Sequence, residues 1–167
     1  KRFYLDQHHC YVGVSPGVRL ALRQADIIIY SAGTQHSSLY PTYMSAGLAQ
    51  TIADNHSAYK VFITNIGADY ETPSYKASDY IRGAHQYLNL SDGRNYTMKE
   101  LFSAVLINQS RLKADETYVE YDAAGFADIA VPRVVDAFES AVSPGKHDGA
   151  KLVQTIIDLY QAASALT

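Results

Sequence analysis

The chain has 167 residues, of which 47% are apolar and 19% charged, with a formal net charge of −3. That length is enough for one domain with a full hydrophobic core. The slight acidic balance argues against a broad nucleic-acid surface, and no apolar run approaches the ~20 residues needed to span a bilayer. A single cysteine, Cys10, rules out an internal disulfide framework and fits a reducing, cytoplasmic location. Lys1 is not an initiator Met and the opening lacks signal-peptide architecture, so the expectation is a piece of a longer protein.

Phe3 to Asp6 reads as a short strand, with His8 to Val12 extending or following it. Adjacent residues on a strand face opposite sides, so His8 and His9 do not share an ion. His8 with Cys10 falls short of the usual zinc ligand count. Ser15-Pro16 reads as a helix start, with Ser as N-cap and Pro at the first helical position. Val18, Leu20, Ala21, Leu22 and Ala25 give that helix an apolar face. Ile27 to Tyr30, unbroken by polar residues, reads as a strand buried on both faces.

Ser31 to Thr42 is a polar loop, followed by a helix predicted over Met44 to His56. Val61 to Thr64 is the next buried strand and Asn65 to Ser74 a second polar loop. Ile81, Ala84 and Leu88 then space a helix over Tyr75 to Leu88. Thr97 with Glu100 three residues on forms a capping box before a short helix. Ala104 to Ile107 is a third buried strand, ending at Asn108. Tyr118 to Tyr121 reads as a fourth, nearer an edge, and Val134 to Phe138 as a fifth. Asp148 opens a last helix to about Ala163, with Leu152, Val153, Ile156, Ile157, Leu159 and Tyr160 inward. Strand, polar loop and helix recur in that order, which predicts βαβ units around a parallel sheet with helices on its faces.

Ligands of open parallel sheets bind beyond the carboxyl ends of the strands. That directs attention to the loops after Tyr30 and Thr64, both longer than the ~2–6 residues usual for such connections. In the first, Gly33 permits close backbone approach, and Thr34, Ser37 and Ser38 with nearby N–H groups suit a phosphate. Ordinary turn chemistry fits the same residues, and neither P-loop nor dinucleotide glycine pattern is present. In the second, Asn65 could orient a ligand. Glu71 and Thr72, with Asp79 on the next helix, could shape the loop or support Mg²⁺. Asp79 also fits plain electrostatic support of a helix N-terminus.

These segments carry a resemblance. Ala25 to Pro41, containing Ser31-Ala32-Gly33-Thr34-Gln35-His36-Ser37-Ser38, resembles the phosphate-loop segment of the CofD/YvcK family. Asn65 followed by Glu71-Thr72-Pro73-Ser74-Tyr75-Lys76-Ala77-Ser78-Asp79 is similar to the family's second loop. Val105 to Asn108 resembles its third strand, and Lys146-His147-Asp148-Gly149-Ala150-Lys151-Leu152 its closing segment. Together they run from about Val18 to Tyr160. The departures are Ser31 and Ala32 in place of the family's first Gly and Pro, Tyr80 in place of a His, and Gly67 to Tyr70 as a shortened loop.

The resemblance implies a Rossmann-like fold, either a single domain over residues 1–167 or the C-terminal part of a larger CofD-like domain whose glycine-rich first strand-turn lies upstream. It implies a nucleoside diphosphate or nucleotide-sugar ligand held by Gly33, Thr34, Ser37, Ser38 and Asn65. Mg²⁺ would accompany that ligand, and no nucleic acid or membrane partner is expected. Two activities stay open. One is transfer of a phospho-linked group from a nucleoside-diphosphate-activated donor, as in 2-phospho-L-lactate transferases. The other is non-catalytic binding of a nucleotide sugar by a regulator of carbon metabolism or cell-wall synthesis. Homo-oligomer formation is also left open.

Overall fold

The computed structural model describes residues 12–90, 92–114 and 117–165. The strand expected at Phe3 to Asp6 and the His8-His9-Cys10 cluster lie outside the described residues.

Helix α1 (Pro16–Gln24) begins where the caps predict: Ser15 Oγ accepts from the Val18 N–H at 3.3 Å and Pro16 stands at the first position. Its apolar face is only partly used. Leu22 packs against the core, while Val18 and Leu20 are exposed. Strand β1 (Ile27–Tyr30) follows at once. A π-helical turn (Gln35–Leu39) then runs directly into α2 (Tyr40–Tyr43).

The helix predicted from Met44 is interrupted at Ser45 to Gly47. Ala46 bridges to Gly13 there, and Gly47 takes a left-handed φ of 83° before α3 (Leu48–Asp54). The polar loop after β1 is largely helical, since Gln35 to Tyr43 lie in the π-helical turn and α2.

Strands β2 (Tyr59–Ile63), β3 (Ala104–Asn108) and β4 (Arg133–Asp136) complete a parallel sheet in the order β1-β2-β3-β4. Every residue of β3 is buried, as expected of a central strand covered on both faces. Between β2 and β3 lie α4 (Ala77–Leu90) and α5 (Met98–Leu101). The capping box of α5 is present: Thr97 Oγ1 accepts from the Glu100 N–H, and Glu100 Oε2 accepts from the Thr97 N–H.

Tyr118 to Tyr121 is not a strand of this sheet. Arg133–Asp136 takes the position beside β3, and Tyr118 forms only an antiparallel bridge to Gly67. A 3-10 turn (Ala123–Phe126) lies between. After β4, the short strands β5 (Glu139–Ser140) and β6 (Ser143–His147) pair antiparallel. Helix α6 (Gly149–Ser164) follows, its N-cap Asp148 accepting from the Lys151 N–H at 3.1 Å.

The sheet separates two cores. On one face Ile28, Tyr30, Phe62, Val105 and Ile107 pack with α3, α4 and α5. On the other, Val61, Ile63, Leu106 and Phe138 meet Leu152 and Ile156 of α6. Val153 and Ile157, expected inward, are exposed. Packing follows the 152–156–159 stripe, and residues one position on point about 100° around the helix. Among the described residues no helix is long and apolar enough to cross a membrane.

Candidate functional site

Parallel pairing of β1 with β2 sends both polar loops out at the same edge of the sheet. Asn65, two residues past β2, fastens them together. Its Oδ1 accepts from the Gly33 N–H at 2.9 Å and its Nδ2 donates to the Gly33 carbonyl at 3.1 Å. Two carboxylates of the second loop extend the clasp. Asp69 Oδ2 accepts from the Gln35 N–H at 3.0 Å, and Glu71 Oε2 accepts from the Ser37 N–H at 2.9 Å. The amides read from sequence as a phosphate cradle are thus already satisfied, by the neighbouring loop's own anions.

The space left open lies beside this clasp. Ala32 and Gly33 from the first loop, Asn65 to Ala68 from the second, and Gly145 to His147 from the β5–β6 hairpin line a cleft of about 330 Å³. Residues 66–68 are held in place from behind: the Ala68 N–H donates to the Thr117 carbonyl at 2.9 Å, and the Val119 N–H to the Ile66 carbonyl at 2.8 Å. Gly145 lies within β6, where the pairing jumps from Ser140–Ser143 to Glu139–His147, and its φ of 81° is a conformation that favours glycine.

Of the residues expected to hold a ligand, Gly33 and Asn65 line the cleft. Thr34, Ser37 and Ser38 are exposed and do not line it. Thr72 is buried with its hydroxyl 3.2 Å from that of Tyr80, a structural contact. Asp79 stands in the first turn of α4 and accepts from the Lys76 N–H at 2.9 Å, which is helix support.

A Mg²⁺ site built on the second loop does not fit this arrangement. Both oxygens of Asp69 accept backbone N–H groups, from Gln35 and Glu71, and a Glu71 oxygen accepts another. Among the described residues no group of three or more His, Cys, Asp or Glu side chains is disposed to hold a metal.

Sequence reasoning missed Lys146 and His147 as cleft residues. Lys146 is exposed and makes no ion pair among the described residues. His147 is half-buried; burial lowers its pKa below the ordinary imidazole value, a hydrogen bond to the Thr64 carbonyl pulling the other way. At neutral pH the cleft therefore presents a neutral imidazole beside one ammonium.

The depressed imidazole has a consequence for stability. Just below pH ~6.5 the unfolded chain's histidine binds a proton that the folded one resists. The associated stability is complete above that pH and is lost as pH falls through the lower folded value. Denaturant midpoints measured from pH 7.5 to 5 should fall more for the parent than for His147→Gln. Equal slopes would contradict this.

The fold and the cleft now stand beside known proteins. The profile of the CofD family, described as 2-phospho-L-lactate transferase CofD, matches residues 1–148. The chain belongs to the CofD family. It is 28% identical over 122 residues to the gluconeogenesis factor of Listeria monocytogenes, covering 72% of this chain and 36% of that protein. It is 27% identical over 146 residues to the putative gluconeogenesis factor of Thermotoga maritima, covering 84% of this chain and 46% of that one. It therefore spans less than half the length of these curated relatives.

Two crystal structures of a Bacillus halodurans protein, one described as a member of the UPF0052 family, superpose with TM-scores of 0.73 and 0.72 at 19% identity. They cover 87% of this chain and 47% and 46% of those chains. That likeness shows the fold. This CofD-like, YvcK-like chain is a divergent member with a Rossmann-like α/β architecture.

Proposed function

We propose that the cleft between the two loops and the β5–β6 hairpin binds the diphosphate of a nucleoside-diphosphate-linked ligand. The observation that carries the reading is Lys146, exposed and without an ion pair among the described residues, on a cleft that Gly33, Gly67 and Ala68 also line. Residues without bulky side chains let a polyphosphate approach the main chain, and a flexible ammonium supplies the compensating charge. The place agrees with the general position of ligands at the carboxyl ends of parallel strands. No Mg²⁺ ligand is assigned, and any cation would take its oxygens mainly from the phosphates and water.

Occupancy could serve transfer from an activated donor or binding alone. Binding alone, as a nucleotide-sugar-responsive regulator, is the better supported reading. The curated relatives carry the name gluconeogenesis factor, and Asp69 and Glu71 occupy the loop amides that a reacting phosphate would use.

Calorimetry on the full-length protein with GDP and with a UDP-sugar, each with and without Mg²⁺, tests this. Binding should appear with at least one nucleotide. Lys146→Ala should weaken it by about tenfold, near 1.4 kcal/mol. No heat with any nucleotide would sink the reading. Product release from the bound nucleotide sugar would move the choice to transfer.

A further inference from the structure

A second cleft, about 370 Å³, opens beyond the carboxyl end of β3 between residues 108–111 and 118–121. One buried carboxylate stands between it and the first. Glu139 on β5 is only 7% exposed, and four donors converge on it. Oε1 accepts from the Tyr118 hydroxyl at 2.6 Å and from the Gly145 N–H at 2.6 Å. Oε2 accepts from the Ser110 hydroxyl at 2.8 Å and from the Leu112 N–H at 3.2 Å. Ser110 and Tyr118 line the β3 cleft, whereas Gly145 lines the first cleft next to Lys146.

We infer that Glu139 is a positioning residue that fixes Gly145, and through it Lys146, and so couples the cleft beyond β3 to the ligand cleft. The coupling stands on geometry alone; its effect on a ligand rests on the nucleotide-binding reading above. Removing a hydrogen bond at one oxygen of a carboxylate redistributes its demand on the donors at the other. A ligand group in the β3 cleft that recruits the Ser110 or Tyr118 hydroxyl would thereby loosen or tighten Glu139 on Gly145.

The chemistry of the hub supports this. Burial raises the Glu139 pKa, but hydrogen bonds from Tyr118, Gly145, Ser110 and Leu112 outweigh it, so the group stays ionised. Burial, and then Glu139 itself, raise the Tyr118 pKa and keep its hydroxyl a donor. Glutamine in place of Glu139 retains one oxygen for two donors and turns an NH₂ toward the other pair, so it should break the link while preserving size.

Two measurements decide it. In the ligand-free full-length protein, Ser110→Ala should shift the backbone amide resonances of Gly145, Lys146 and His147. The same substitution made on top of Glu139→Gln should leave them where Glu139→Gln alone puts them. Equal shifts in both backgrounds would overturn the inference.

With GDP as probe, Glu139→Gln should weaken affinity about tenfold. It should weaken it no further in a Lys146→Ala background, the non-additivity expected of residues acting through one another. Full additivity would overturn it, since general destabilisation acts in either background. If the parent binds no nucleotide, the proposed function fails while the ligand-free resonances still decide the role of Glu139. Should Glu139→Gln fail to fold, Tyr118→Phe replaces it in the ligand-free arm. Removal of that donor should then shift Gly145 to His147, and unmoved resonances would refute the coupling.

Discussion

Gly83→Ala is expected to destabilise the protein by about 1–3 kcal/mol, although alanine is the better helix former by about 1 kcal/mol. Gly83 lies inside α4, where a glycine is a local weakness. The reason for it is the ring packed against it. A Cβ built at Gly83 would stand 2.8 Å from Cζ of Tyr40 and nearer still to its hydroxyl oxygen.

Tyr40 has no room to withdraw. It is fully buried and stacks on Tyr87 with ring centroids 4.1 Å apart. The added methyl must therefore push α4 away from α2, or force the ring off its rotamer, and both are overpacking costs. Thermal unfolding of the variant should show a clear loss, and Tyr40→Phe should recover part of it by removing the nearest atom. An unchanged or raised midpoint would mean that the interface yields freely, contrary to the packing described.

What the sequence makes legible divides along a physical line. Ser15 with Pro16, Thr97 with Glu100, and Asp148 act through hydrogen bonds within one turn, so local spacing reveals them. Ala104 to Ile107 reads as a strand because a parallel strand covered on both faces loses polar alternation. Ile27 to Tyr30, by contrast, is a strand at the sheet edge with Ile29 50% exposed, so the burial on both faces expected of it is not found. Tyr118 misleads for the opposite reason. Its neighbourhood has strand-like residues, but which backbone they pair with is a tertiary matter, and the partner is the Gly67 loop. Val153 and Ile157 are apolar on a helix of helical period, yet only the 152–156–159 stripe meets the sheet.

The site divides in the same way. Gly33 and Asn65 follow directly on buried strands, so the parallel-sheet rule finds them. Lys146 lies far along the chain, on a hairpin whose return to the sheet edge no local pattern announces. That Asp69 and Glu71 would fill the amides of the first loop is equally invisible. Each carboxylate has the composition of a ligand-binding group, and only the folded chain shows what it already holds.

Asn65 offers the sharper functional test, because two substitutions there separate shape from charge. Asn65→Ala removes the acceptor of the Gly33 N–H and the donor to the Gly33 carbonyl. Gly33 borders an open cleft, so water can take both roles, and the cost to stability should be about 1 kcal/mol. GDP affinity should fall by about three- to tenfold as the loops lose register, under 1.4 kcal/mol. Asn65→Asp retains the acceptor for the N–H, but it opposes an anionic oxygen to the Gly33 carbonyl and places a negative charge on the cleft wall.

Two unit charges about 5 Å apart at an effective dielectric of ~20 repel by roughly 3 kcal/mol. The aspartate variant should therefore lose about a hundredfold in GDP affinity, and much of that excess over alanine should disappear in 1 M salt, where the screening length is ~3 Å. Stability should not follow the same order, since the aspartate still holds the Gly33 N–H. Equal losses of affinity for Ala and Asp, insensitive to salt, would show that no phosphate lies near Asn65 and would move the diphosphate out of this cleft.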